Sequence, residues 1–236
     1  MASIIAKALA HTGSGGAVSV TTSAINTTGA NFLLLCSTFY TDLTSTPSDS
    51  KGNTWQSLTK YGTTNSFVRI FYCYNPSVGS DHTLTMTFGS SNYASLFAYS
   101  FDGMDITSGV FDAENGASAY ATGTVTPAGS GELIVSAYNQ FQYASAITED
   151  PANGWTVEDS DPYLTGFTTG GSVALINPYA STNAIQCDWD LTQVTGNGEA
   201  SAIAAFKLAA AGGKASLNTR AFPLGVRAGM GFGMGG

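Results

Sequence analysis

The sequence predicts an all-β protein, a jelly-roll-like β-sandwich built from two similar five-strand units and followed by an extended C-terminal tail. Charged residues make up only 10% of the chain, against roughly 25% in ordinary soluble domains. Ser, Thr, Asn and Gly replace the missing charge, while 43% of the residues are apolar, enough for a substantial core. Several short segments alternate apolar and polar residues, and a period of two is that of a β-strand.

The strands of the first unit follow one another from about residue 30 to residue 102. Asn31 to Tyr40 is densely apolar, which predicts a central strand covered on both faces. Phe67 to Tyr74 is β-branched and aromatic, as strands commonly are. His82 to Phe88 alternates most cleanly, with apolar residues on one face and threonines on the other, and Ala94 to Phe101 completes the unit. Weaker alternation predicts strands near residues 2–10 and 18–21.

A second unit, from about residue 130 to residue 208, repeats this plan. Leu33 to Trp55 and Leu133 to Trp155 are both 22 residues apart, and the last strands of the two units align Phe101 with Phe206. The two tryptophans are predicted to plug the core beneath equivalent turns. Two arrangements are compatible with the repeat: the units supply the sheets of one sandwich, or they form two small sandwiches. The connector at 102–130 is neither charged nor Pro-rich, which favours a single sandwich over residues 1–208.

The chain changes character in residues 209–236, which are Gly-rich and contain no acidic residue. As a free chain this tail is expected to be disordered or extended. Isolated apolar and basic residues within it predict a docking arm that orders on a partner surface, whereas the alternative is a flexible tail without a role. The predicted docking residues are Arg220, Phe222, Leu224, Arg227, Met230, Phe232 and Met234.

An aromatic and amide-rich stretch in the second unit is the candidate for a sugar-binding face. Aromatic rings stack on the apolar faces of sugars while amides bond to their hydroxyls, although a sandwich rim has the same composition. The candidate glycan-binding residues are Tyr138, Asn139, Phe141, Tyr143 and Tyr163.

Two acidic groups flank the second tryptophan, Glu149-Asp150 and the run from Glu158 to Asp161. Clustered carboxylates can bind calcium, but the spacing is not that of an EF-hand loop, and solvated loop charges are the favoured interpretation. The three cysteines and two histidines have no zinc-like spacing. No metal site or cofactor is therefore predicted.

Other function classes are disfavoured by charge and by motif. A net charge of −8 argues against nucleic acid binding. The sequence contains no nucleophile elbow, P-loop, dinucleotide fingerprint or HExxH motif, and no acidic pair is spaced as in a glycosidase, so no catalytic residue is assigned. No apolar run is long enough to cross a bilayer, and MASIIAKALAHTGSGG does not have the plan of a signal peptide. We expect synthesis in the cytoplasm and no membrane partner.

The segments DSKGNTW, VRIFYCYNP, HTLTMTF and YASLFAYSFDG resemble a β-sandwich pattern that recurs in bacteriophage structural proteins and in some bacterial surface proteins. The resemblance covers residues 30–208 and carries no catalytic signature. It implies a virion component made in the host cytoplasm, either a capsid decoration or cement protein or a tail-associated one. The expected partners are other virion proteins and further copies of this chain. The alternative is a carbohydrate-binding module, and a hydrolase is the third hypothesis.

Overall fold

The computed structural model describes residues 1–141, 154–161, 169–189 and 198–210, and the secondary structure of these residues consists of strands. The strands, in chain order, are β1 (Ser3–His11), β2 (Ala17–Thr21), β3 (Phe32–Phe39), β4 (Ser45–Asp49), β5 (Gln56–Ser57), β6 (Tyr61–Thr63), β7 (Ser66–Tyr74), β8 (Leu84–Asn92), β9 (Ala94–Asp102), β10 (Phe111–Ala117), β11 (Glu132–Phe141), β12 (Thr156–Asp161), β13 (Thr169–Tyr179) and β14 (Glu199–Phe206). The all-β prediction is confirmed.

The strands form three sheets in which every pairing is antiparallel. The first sheet has the order β1-β9-β3-β7-β5, with β6 also paired to β7. The second has the order β10-β14-β11-β13-β12, and the third has the order β2-β8-β4. The two orders correspond position by position, so that β10, β14, β11, β13 and β12 take the places of β1, β9, β3, β7 and β5.

The first unit is a jelly roll. Its strands β1, β9, β3 and β7 lie side by side and face a layer made of β2, β8 and β4, which is the alternation between two sheets that this topology requires. In the second unit, the described residues of the outer layer are joined by bridges between residues 121–125 and 185–188. The prediction of a jelly-roll-like sandwich is confirmed.

The first and second sheets pack face to face, and the two units are related by an approximate two-fold axis along the strands. β3 contacts β11 near this axis, and the remaining contacts come in equivalent pairs: β1 with β12 matches β10 with β6, and β9 with β13 matches β7 with β14. Asn139 donates from Nδ2 to the Phe39 and Phe67 carbonyl oxygens at 2.9 Å each. β3 and β11 thus run in the same direction, and the sandwich contains one sheet from each unit.

Each of the two large sheets is covered on both faces, so the molecule has three apolar layers. The central core lies between these sheets and includes Phe32, Tyr99 and Phe206. One outer core separates the first sheet from the third, and the other lies beneath the bridged segments of the second unit. Double coverage explains why β3 is buried at all eight positions.

The repeat inferred from sequence aligns β11 with β3 in a register that is wrong by one residue. Leu34 and Val135 both face the central core, as do Phe32 and Leu133. Leu33 alternates with Phe32 and Leu34 along β3, so its side chain is directed away from the central core, whereas Leu133 on β11 faces that core. Because side chains alternate along a strand, an offset of 100 exchanges the faces, and an odd offset is required.

Candidate functional site

The shared direction of β3 and β11 gives the molecule two distinct ends. At one end, called here the loop end, Phe39 pairs with Ala94 and Gln140 pairs with Glu199. At the other, called the terminal end, Phe32 pairs with Phe101 and Leu133 pairs with Phe206. The turns β1–β2, β6–β7 and β8–β9 of the first unit reach the loop end.

The predicted docking residues Arg220, Phe222, Leu224, Arg227, Met230, Phe232 and Met234 lie outside the described residues. The structure does describe where the tail begins. Leu208 bridges to Met104, and the Ala209 N–H donates to the Gly103 carbonyl oxygen at 2.9 Å. Ala210, the last described residue, lines the same cavity as Met1. The tail therefore begins at the terminal end, beside the start of β1.

That cavity, of about 530 Å³, is lined partly by charged side chains, among them Asp105, Glu132 and Lys207. The Glu132 side chain accepts a hydrogen bond from the Gly129 N–H at Oε1, 3.1 Å away. Burial raises the pKa of Glu132, and the negative charge of nearby Asp112 raises that pKa further. Lys207 Nζ lies 3.4 Å from Asp112 Oδ1 and partly offsets this effect.

The neighbouring charge of Asp112 and the burial of Glu132 both favour the protonated form of the Glu132 carboxyl group. Sequence reasoning missed Glu132, whose only signal is a single acid at the start of an apolar strand.

The structure makes two of the predicted glycan-binding residues part of the core. Tyr138 is fully buried and its ring stacks on Trp189 with centroids 5.5 Å apart. Asn139 is also fully buried, and its amide joins the two units as described above. Neither side chain is accessible to a sugar, so both are withdrawn from the predicted site. Tyr143 and Tyr163 lie outside the described residues.

The fifth predicted residue, Phe141, is half-buried at the loop end within a cluster of three rings. Its centroid is 5.1 Å from that of Tyr40, which is in turn 6.1 Å from that of Tyr93. All three rings are partly exposed. Sequence reasoning missed Tyr40 and Tyr93, which adjoin because the Tyr40 N–H donates to the Tyr93 carbonyl oxygen across the sheet. These three residues are called the aromatic cluster.

A buried polar network holds the DSKGNTW turn. Asp49 Oδ2 accepts from Trp55 Nε1 at 2.8 Å, and Asp49 Oδ1 accepts from the Lys51 N–H at 2.8 Å and from Asn53 Nδ2 at 3.2 Å. His82 Nε2 lies 3.2 Å from Asp49 Oδ1, and neither side chain is exposed. Burial alone would raise the pKa of Asp49, but the hydrogen bonds from Trp55, Lys51, Asn53 and His82 hold that pKa below its usual value.

This network contains a hydroxyl, an imidazole and a carboxylate in the order of a catalytic triad. Thr27 Oγ1 lies 2.9 Å from His82 Nδ1, on the opposite side of the ring from Asp49. However, Thr27 and His82 are fully buried, and the Thr27 hydroxyl also bonds with the N–H and carbonyl groups of Gly79. A nucleophile must reach its substrate, so the network is a structural clamp for the turn.

The acidic run from Glu158 to Asp161 lies on β12, and Lys7 and His11 of β1 contact it through their side chains. Lys7 Nζ donates to the Glu158 carbonyl oxygen at 2.7 Å and lies 3.4 Å from Asp159 Oδ2. Asp161 accepts a hydrogen bond from Ser95 and lies 3.4 Å from His11 Nδ1. Glu149 and Asp150 lie outside the described residues. Among the residues that are described, no three His, Cys, Asp or Glu side chains form a group able to hold a metal ion.

The three cysteines are buried free thiols. Burial raises the pKa of the Cys73 thiol to about 11, with a further contribution from Asp49, and burial also raises that of Cys36. Such thiols are protonated near neutral pH and react slowly. In a variant, a cysteine introduced at the surface would therefore react faster than the three native cysteines.

Comparisons of the chain with protein-family models, with curated proteins and with solved structures found no match. In the described part of the chain, no helix is long and apolar enough to cross a membrane.

Proposed function

We propose that this chain is a non-enzymatic structural component of a phage particle, either a capsid decoration or cement protein or a tail-associated one, anchored through its C-terminal tail. The observation that carries this proposal is the polarity of the molecule. The tail begins at the terminal end, whereas the aromatic cluster lies at the loop end, separated from it by the length of the central strands. An eight-residue strand spans roughly 27 Å.

Polarity of this kind suits a subunit that is held at one end and presents the other to its surroundings. The tail has three basic residues and no acid, while residues 1–208 carry all sixteen acids of the chain. This difference in charge favours contact between the tail of one subunit and the acidic body of another, or an acidic shell. Three apolar layers and doubly covered sheets provide a rigid body.

The test is the mass of the full chain and of a chain ending at Ala210, measured by size-exclusion chromatography with light scattering. The shortened chain retains every residue of the three cores, so we expect it to fold. We expect a defined oligomer from the full chain and a monomer from the shortened one. Identical masses for the two chains would remove the main support for the tail as an assembly arm.

The second candidate is a carbohydrate-binding module, and the aromatic cluster favours it. Phe141, Tyr40 and Tyr93 present partly exposed rings at the loop end, away from the end where the tail begins. A glycan array probed with the full chain and with Phe141→Ala tests this function. We expect loss of glycan signal in the variant, with Tyr120→Ala, at an exposed ring outside the cluster, as the matched control. Equal signals from the two variants would contradict sugar binding at the cluster.

A further inference from the structure

The first sheet ends at the edge strand β1. β1 pairs with β9 on one side, and in the described part of the chain no strand pairs with its other side. Exposed large apolar side chains accompany this edge: Ile4 is 36% exposed, Ile5 39% and Leu9 36%. An edge strand with free backbone groups and exposed apolar residues is a template for a further strand.

The lysine of this edge strand does not protect it in the usual way. Proteins commonly place a lysine on an edge strand so that its charge repels an added strand. β1 contains Lys7, but this side chain is directed to β12, where it bonds to the Glu158 carbonyl oxygen and pairs with Glu158 and Asp159. Its charge is thereby balanced, and two carboxylates lie beside the edge instead.

The tail has the pattern of a strand that could use this edge. Apolar residues occupy every second position in two runs, Phe222-Leu224-Val226 and Met230-Phe232-Met234. The positions within the runs are proline or glycine, and Arg227, Ala228 and Gly229 separate the two runs. In an extended chain all six apolar side chains project from one face. Lys214, Arg220 and Arg227 of the tail are opposite in charge to the carboxylates of Glu158 and Asp159 and would be attracted to them.

Pro223 fits this arrangement. Along a strand, alternate residues direct their backbone groups to the same side, and a proline is tolerated where its missing N–H would face solvent. With Pro223 facing outward, Phe222, Leu224 and Val226 direct their N–H groups toward the neighbouring strand. The eleven residues between Ala210 and Phe222 can extend to roughly 36–40 Å, enough to leave one body and reach the next.

We propose that residues 222–234 of one copy add to the free edge of β1 in a neighbouring copy as an antiparallel strand. This inference rests on the proposed function, because it names the surface that the assembly arm occupies. All described sheet pairings are antiparallel, and the added strand would continue that pattern while covering Ile4, Ile5 and Leu9. The exchange would link the terminal end of one copy to the side of the next.

Disulfide trapping in the full chain tests the location. Ile5→Cys is combined in turn with Leu224→Cys and with Phe232→Cys, and the native thiols are buried. Under mild oxidation we expect covalent dimers and larger species with at least one of the two pairs. The matched control places the first cysteine at Gln56, an exposed residue of β5 on the opposite edge of the same sheet, and should give monomer. Closure within one chain, or equal yields from Ile5→Cys and Gln56→Cys, would overturn the proposal.

A second set of variants separates this inference from the proposed function. Ile5→Lys and Leu9→Lys add charge at exposed positions of β1, and we expect the dissociation constant of the oligomer to rise at least tenfold, with melting temperatures of the body unchanged. Tyr120→Lys, at an equally exposed position away from β1, should have no effect. If removal of the tail gives monomers while both β1 variants still assemble, the edge assignment is wrong and the tail remains an arm. If removal of the tail changes nothing, both proposals fail.

Discussion

The hydrogen bond between Asp49 and Trp55 allows a quantitative test of the buried network. Asp49→Asn keeps the shape of the side chain but replaces one carboxylate oxygen with an N–H₂ group. The remaining oxygen cannot accept both from Trp55 Nε1, 2.8 Å from one carboxylate oxygen, and from the Lys51 N–H, 2.8 Å from the other. At least one buried donor is left unsatisfied in either orientation of the amide.

An unsatisfied buried donor costs about 1–3 kcal/mol, and charge-assisted hydrogen bonds contribute roughly 1.5–3 kcal/mol each. We therefore expect Asp49→Asn to lower the free energy of unfolding by about 2–4 kcal/mol. For a body of this size that lowers the melting temperature by roughly 4–16 °C. Asp42→Asn is the matched control, because Asp42 forms a surface pair with Lys60 and is 61% exposed. Its cost should be within about 1 kcal/mol.

A double-mutant cycle isolates the bond itself. Trp55→Phe removes the donor, so the combined variant Asp49→Asn, Trp55→Phe should be less destabilised than the sum of the single variants, by roughly 1–2 kcal/mol. Urea denaturation followed by circular dichroism gives the four free energies of unfolding, for the native chain, the two single variants and the double variant. Additivity within about 0.5 kcal/mol would refute the view that Asp49 acts through the indole N–H.

The sign of the pH dependence follows from the lowered pKa of Asp49. Its contribution to stability is fully present above the pKa of the unfolded carboxyl, about 4, and is lost as the pH falls through the lower folded value. The difference in the free energy of unfolding between the native chain and Asp49→Asn should therefore decrease below pH 4. A difference that widens on acidification would contradict this assignment.

Two further predictions concern the cores. Because the pKa of Glu132 is raised in the folded chain, its contribution to stability is present below the unfolded pKa and is lost as the pH rises through the folded one. Glu132→Gln stays neutral beside Asp112 and should raise the melting temperature by a few degrees at pH 8 and by little at pH 4. A gain that is larger at pH 4 than at pH 8 would be the wrong sign. Phe206→Ala removes a fully buried ring that lies 5.1 Å from Phe32 across the central core, and should cost about 3–5 kcal/mol while calorimetry still shows one transition for both units. Two separated transitions in the native chain would show that the central core does not couple the units.

Much of the strand plan could be predicted because it rests on local alternation. Leu84, Met86 and Phe88 do face one core, and the two tryptophans do pack at equivalent outer cores. Trp55 and Trp155 each donate Nε1 to an acceptor near their turn, Asp49 and the Gln186 carbonyl oxygen. Alternation fixes a strand and its period, but it does not fix which face meets which core. The displaced register of Leu33 and Leu133 follows from that gap.

The candidate sites were harder to predict because they depend on pairing between distant strands. Tyr138 and Asn139 lie on a strand covered on both faces, and a doubly covered strand has no polar face to mark its rim. The cluster of Tyr40 with Tyr93 depends on a sheet pairing across 53 residues, and the contact of Asp49 with His82 on another across 33. No local pattern encodes these separations.

The polarity of the assembled molecule is the central claim, and thiol labelling measures it most directly. Ile106→Cys places a thiol at the terminal end, where Ile106 is 49% exposed, and Ser90→Cys places one near the loop end. Maleimide labelling rates are compared between the assembled full chain and the chain ending at Ala210. We expect the Ile106→Cys thiol to label at least tenfold more slowly in the assembly, and the Ser90→Cys thiol to label at the same rate in both. Equal protection at the two ends, or protection of the loop end alone, would contradict anchoring through the terminal end.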